Sequence, residues 1–160
     1  MNKQTVLQSI IDKLKVNLGV AQRAAQTAYE TATHEENIAE NKYDTLGLEA
    51  SYLAAGQARR VEEIRHSLLL YQKLDLVAFD ENRGIQIGDL VTLRTDTGAD
   101  QHLFLGPDAA GLKIRIDHVV ITVITPRAPL GQSLLGKFEG DELQINVNGS
   151  TQSFEVTQIV

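Results

Sequence analysis

The residues best suited to chemistry in this sequence are carboxylates gathered in one short segment. Between positions 30 and 44 stand Glu30, Glu35, Glu36, Glu40 and Asp44, and Lys42 is the one Lys or Arg among them, a net charge of −4. Carboxylates are hard oxygen ligands, and Mg²⁺ is usually held by one or two of them with water and substrate phosphates completing its shell. Such a segment can contribute part of a metal site; the plain alternative is a solvated polar turn. The clustering is local. Residues 1–75 carry 9 Lys/Arg and 10 Asp/Glu, so outside the segment that half is net +3. Residues 76–160 carry 6 and 11, net −5.

Other chemistries find little support. The chain has no cysteine, which excludes disulfides and thiolate metal sites. His34-Glu35-Glu36 lacks the second histidine of a zinc-protease helix, because position 38 is Ile, and His66, His102 and His118 are scattered. Gly131 to Gly136-Lys137 has most of a phosphate-loop spacing, but Phe138 stands where a Mg²⁺-ligating hydroxyl belongs. A net charge of −6 disfavours binding along a phosphate backbone, so no independent sequence-specific DNA binding is expected. No apolar run approaches the roughly 18 residues of a membrane span, and the N-terminus lacks the apolar stretch of a secretory signal. A cytoplasmic protein with no membrane contact is expected.

The acidic segment must be positioned by its flanks. Residues 2–75 contain no proline and three glycines, and Ala, Leu, Glu, Gln and Lys dominate. Asn2 is suited to an N-cap. Leu7, Ile11, Leu14, Leu18, Ala21, Ala25, Ala28 and Ala32 recur at steps of three and four, as do Tyr43, Gly47, Ala50, Ala54, Gln57, Val61, Ile64 and Leu68. The two sets pair in antiparallel order, Leu7 with Leu68, Ile11 with Ile64, Ala21 with Ala54. The spacing predicts a coiled-coil hairpin over residues 1–75 that turns within residues 32–40. Thr33 and Glu36 match a capping box, with Thr33 at the N-cap of the returning helix. The acidic residues then fall at the tip.

From residue 85 onward the period becomes alternating. Residues 76–84 form a polar linker. Residues 85–87 and 90–93 are expected as strand, Asp96-Thr97-Gly98 as a turn and 102–105 as a second strand. Residues 112–116 and 119–124 are expected as a third strand with a break in it. Residues 143–147 and 150–160 form a hairpin about Asn148-Gly149. Between them Leu130, Leu134 and Leu135 give one apolar face to a short helix. The fold class is α+β: an antiparallel helical hairpin, then a small antiparallel β domain over 85–160.

The run Ala128-Pro129-Leu130-Gly131-Gln132-Ser133-Leu134-Leu135-Gly136-Lys137, with Gly140-Asp141 after it, resembles the C-terminal signature of the Gre transcript-cleavage factors. Gly88-Asp89-Leu90-Val91 and Phe154-Glu155-Val156 are similar to the same family. In the N-terminal half Glu40-Asn41-Lys42-Tyr43 resembles part of its tip pattern, while Asn37 stands at the position of the family's aspartate and the preceding Gly-Asp pair is missing. The resemblance implies an FKBP-like C-terminal domain that binds bacterial RNA polymerase. It also implies a hairpin that enters the polymerase's secondary channel and reaches the RNA 3′ end. There the tip carboxylates, Glu36 and Glu40 with Glu35 and Asp44 in reserve, would help hold a Mg²⁺ shared with the polymerase active site. The chain would then be an accessory factor with no cofactor of its own, stimulating the polymerase's cleavage of backtracked RNA. Pro129, Leu130 and Gly131 would contact the polymerase. Arg59 and Arg60 would meet the channel wall or RNA, unless with Arg65 they only pair with Glu62 and Glu63. Phe79, Phe104, Phe138 and Phe154 are expected in the core and not around an isomerase pocket. Two other readings stay open: a Gre-like regulator that occupies the channel without stimulating cleavage, and a coiled-coil adaptor unrelated to transcription.

Overall fold

A computed structural model of the protein describes residues 1–34 and 45–160. The chain divides into two compact units, one of Met1–Ile11 with Leu70–Val160 and the other of Asp12–Leu69. Helix α1 (Lys3–Thr33) leaves the first unit and helix α2 (Thr45–Gln72) returns to it, so the two run antiparallel. The base of the hairpin thus belongs with the β domain.

Asn2 caps α1, its side-chain oxygen accepting from the Gln4 amide at 2.7 Å. Thr33 lies in the last turn of α1, and its hydroxyl donates back to the Tyr29 carbonyl at 2.8 Å. It is therefore not the N-cap of the second helix, as the capping-box pattern suggested; the hydroxyl closes the helix that it ends. The seam follows the heptad spacing. In the second unit Leu14, Ala21, Ala28, Gly47, Val61 and Ile64 are buried, and Leu18, Ala25, Ala32, Ala50, Ala54, Gln57 and Leu68 are half-buried. Nearly every other residue of α2 from 45 to 66 is exposed.

In the first unit six strands form one sheet in the order β3-β4-β2-β1-β6-β5. They are β1 (Leu90–Thr95), β2 (Asp100–Leu105), β3 (Lys113–Ile116), β4 (Val119–Ile124), β5 (Glu142–Val147) and β6 (Ser150–Ile159). Helix α3 (Pro129–Leu134) precedes β5. Two expectations are corrected. Residues 85–87 are not strand: Ile85 is fully buried and exchanges backbone bonds with Lys137 and Gly136. Residues 112–124 are not one broken strand. Asp117, at φ 54°, turns the chain so that β3 and β4 pair as a hairpin. The sheet is antiparallel as expected in its β1–β2, β1–β6, β3–β4 and β5–β6 pairs, while β2 and β4 pair in parallel.

Both faces of the sheet carry buried residues, although over β5 and β6 one face is largely exposed. Val91, Leu93, Leu103, Leu105, Leu143, Ile145, Phe154 and Val156 cover one face, together with Leu134 of α3 and Ile85; Phe79, Leu130 and Leu135 pack at its margin. Leu90, Phe104, Ile121 and Val123 alternate onto the other. Tyr71, at the end of α2, is buried with its ring 6.4 Å from that of Phe104. The Asn148-Gly149 turn has φ values of 52° and 81°, the left-handed pair that closes a two-residue hairpin.

Candidate functional site

The carboxylates singled out in the sequence, Glu35, Glu36, Glu40 and Asp44, lie outside the described residues, as does Asn37. The structure describes what carries them. Two helices of 31 and 28 residues flank the acidic segment. Over the distal part their seam is Ala21, Ala25, Ala28, Gly47, Ala50 and Ala54, small residues that let two backbones approach closely. A groove of about 530 Å³ runs along one side of the pair, lined by Val20, Ala24, Ala50, Leu53 and Gln57 among others. Another of about 620 Å³ lies opposite, with Ala25, Tyr29, Ala54, Ala58 and Val61 in its walls.

Arg59 and Arg60 are exposed, and among the described residues neither forms an ion pair. Arg65 differs, because it binds Glu62 at 2.9 Å one turn back. The charge-pairing reading thus holds for Arg65, while the two neighbouring arginines are open to a partner.

The second predicted surface surrounds α3. Pro129 opens the helix and is exposed; Leu130 is half-buried against the core. Gly131 is buried, and a Cβ there would lie 1.9 Å from the Thr125 carbonyl oxygen. Gly131 lets α3 sit on the preceding turn and presents no side chain outward. Phe138, 38% exposed, meets Phe79 edge-on at 6.5 Å beside it. Gly84 supports this corner at φ 73°, where a Cβ would come within 2.5 Å of the Gly136 backbone. The surface around α3 includes Pro129, Gln132 and Phe138, which are exposed, and the half-buried Leu130.

Sequence reasoning did not give the partners of two anchors of this unit. Asp89, 3% exposed, accepts from the Lys3 ammonium at 2.9 Å and from the Gln86 amide at 2.8 Å, and Lys3 also donates to the Val77 carbonyl. Tyr71 donates to the Asp108 carbonyl at 2.7 Å. Burial pushes its phenol well above the ordinary tyrosine value, and the Asp108 carboxylate pushes the same way. Gly106 makes room for that hydroxyl, since a Cβ there would lie 2.0 Å from it. The signals were weak: a Gly-Asp pair for the first, a lone tyrosine at a helix end for the second.

A family model described as the C-terminal part of the transcription elongation factors GreA/GreB matches residues 81–160, half of the chain. The transcription elongation factor GreA of Desulfovibrio desulfuricans is 31% identical over 133 residues, covering 81% of this chain and 74% of that protein. The chain belongs to the GreA/GreB family. GreA of Vibrio cholerae is 27% identical over 103 residues, 62% of this chain; the match spans 60% of that relative's length. Among solved structures, Gfh1 of Thermus thermophilus is similar over 94% of each chain at 20% identity and a TM-score of 0.37. A further Gfh1 structure covers 94% of this chain and 93% of its own at 21% identity and a TM-score of 0.41. The GreA/GreB match takes in α3, the Gly84 corner and the whole sheet. Among the described residues of this family member, no helix is long and apolar enough to cross a membrane.

Proposed function

We propose that the protein is an accessory factor of bacterial RNA polymerase that acts in the cytoplasm. The sheet domain docks through the Pro129, Leu130 and Phe138 surface, and the hairpin enters the secondary channel. The observation that carries this reading is the pairing of two long helices around a segment of four carboxylates and one lysine. At about 1.5 Å per residue these helices reach roughly 40 Å. Glu36 and Glu40 are the metal-organising carboxylates, with Glu35 and Asp44 behind them. A Mg²⁺ at the tip would draw its other ligands from the polymerase and the RNA. Such an ion, when bound, polarises the scissile phosphate and activates water. The chain's own part is to deliver carboxylates and orient them. Arg59 and Arg60 give the shaft two unpaired cations for the channel wall or the RNA strand.

The test is RNA shortening in stalled, backtracked polymerase complexes with Mg²⁺. The protein should shorten the RNA, and Glu36→Ala/Glu40→Ala should abolish this while binding persists. Binding without shortening by the unaltered protein would sink the cleavage reading. A second reading then takes over: a regulator that occupies the channel and competes with a cleavage-competent factor. Asn37, at the position of the family's aspartate, favours it. A chain that does not bind polymerase at all would refute both and leave the adaptor reading.

A further inference from the structure

We infer that Arg127 sets the specificity of docking by binding a carboxylate on the polymerase surface that meets α3, and that Asp108 positions it. This rests on the docking proposed above and adds the chemistry of what is docked against. Arg127 lies two residues before Pro129, in the turn that carries the chain from β4 to α3. Its side chain is 72% exposed, while that of Asp108, which accepts a bond from its Nη2, is 20% exposed. The remaining donors of the guanidinium have no partner among the described residues. Asp108 is held in turn. Its carbonyl accepts from the buried Tyr71 hydroxyl at 2.7 Å, and the next residue, Ala109, takes the left-handed conformation at φ 62°. An arginine pinned in this way loses less side-chain freedom on binding than a loose one. Its planar fork matches a carboxylate through two parallel bonds.

The surroundings of Arg127 favour an acidic partner. β2 and β4 run parallel and end at this corner, and β3 begins there. The register sets Lys113 opposite Thr122, and Thr122 beside Leu103, which shares a core with Leu134 of α3. Lys113, and Arg115 opposite Val120, therefore stand on the face of the sheet against which α3 packs. Both are exposed. Residues 109–138 hold four Lys or Arg and a single acid, Asp117, net +3 within a half that is net −5. Asp117 sits in the β3–β4 turn, at the other end of β3 from Lys113. Asp100, Glu155 and Glu142 form a row with Arg94 on the opposite face of the sheet. The cations at the Pro129 end of α3 are thus separated from the acids of the domain. A protein carboxylate suits this corner better than a phosphate. Pro129, Leu130 and Val120 offer apolar contacts beside the charge, and the chain's net charge of −6 opposes a phosphate backbone.

The test is binding of the full chain to bacterial core RNA polymerase free of nucleic acid, followed by biolayer interferometry over a range of salt. Arg127→Glu should weaken binding at least about thirtyfold. Arg127→Lys should weaken it about fivefold, because an ammonium cannot make the paired bonds. Lys113→Glu should lower the association rate about threefold and flatten its dependence on salt. Asp108→Asn should weaken the unaltered chain about fivefold yet leave Arg127→Ala unchanged, a coupling that a purely structural role for Asp108 would not give. Far-UV circular dichroism of Arg127→Glu should match the unaltered chain, since that side chain is exposed. If the unaltered chain binds polymerase and Arg127→Glu binds within about twofold of it, the inference is overturned and the proposed function stands. A loss seen only when nucleic acid is present in the complex overturns it too. An Asp108→Asn effect that persists in Arg127→Ala removes the positioning role. A chain that binds no polymerase refutes the inference and the proposed function together.

Discussion

At the residue scale, Asp89 joins three segments through one carboxylate, holding Lys3 of α1 and the Gln86 amide while itself buried. Asp89→Ala strands the Lys3 ammonium and the Gln86 amide, and should cost about 2–4 kcal/mol in urea unfolding. Tyr71 gives a pH signature. Its phenol is raised in the folded state, so folded and unfolded chains hold that proton alike below the ordinary tyrosine value near 10. Above it the unfolded chain deprotonates first, and stability falls as pH climbs towards the folded value. An alkaline spectrophotometric titration should show Tyr71 ionising above the ordinary tyrosine range. Tyr71→Phe should remove that alkaline loss and cost about 1 kcal/mol at neutral pH. The partner of neither anchor was legible in the sequence. Lys3 and Asp89 are 86 positions apart, and a charge names no partner until folding supplies one.

At the element scale the periodicities were legible and the exceptions have physical causes. Heptad steps marked every buried position of distal α2 from Gly47 to Ile64, because a two-helix seam admits only that stripe. Ile85 was read as strand from its neighbours' alternation, but its backbone bonds go to Lys137 and Gly136 at a corner. The β3–β4 turn was missed because Asp117 takes positive φ without a glycine. The parallel β2–β4 pairing is invisible locally, since nothing within either strand specifies the direction of its neighbour. Two substitutions probe the elements. Gln57→Leu replaces the polar break in the seam and should raise the stability of the hairpin by about 1 kcal/mol, seen as a higher thermal midpoint. Gly131→Ala forces a methyl onto the Thr125 carbonyl and should destabilise the sheet domain by about 2–3 kcal/mol, with α3 displaced.

At the scale of the whole molecule, the proposed docking residues and the acidic segment belong to different units. The proposed docking residues, Pro129, Leu130 and Phe138, sit within Leu70–Val160, whereas the acidic segment falls within Asp12–Leu69. Their losses should therefore separate. Glu36→Ala/Glu40→Ala should leave affinity for polymerase within about twofold and remove RNA shortening. Phe138→Ala, at an exposed edge, should weaken affinity and spare shortening at saturating protein. The family was legible from the run around Pro129-Leu130-Gly131, since that run builds the corner formed by α3, Gly84 and Gly136. The tip chemistry was less so, because Asn37 departs from the family pattern.

The strand order carries a consequence for synthesis on the ribosome. Residues 1–11 lie in the same unit as residues 70–160, and β1 sits between β2 and β6. Lys3 emerges early but has no counterion until Asp89 is made, roughly 4–17 s later at bacterial translation rates. The sheet stays open on one side of β1 until Ser150–Ile159 has been added. Residues 1–11 therefore wait for their partners among residues 70–160, and the sheet closes only when β6 emerges.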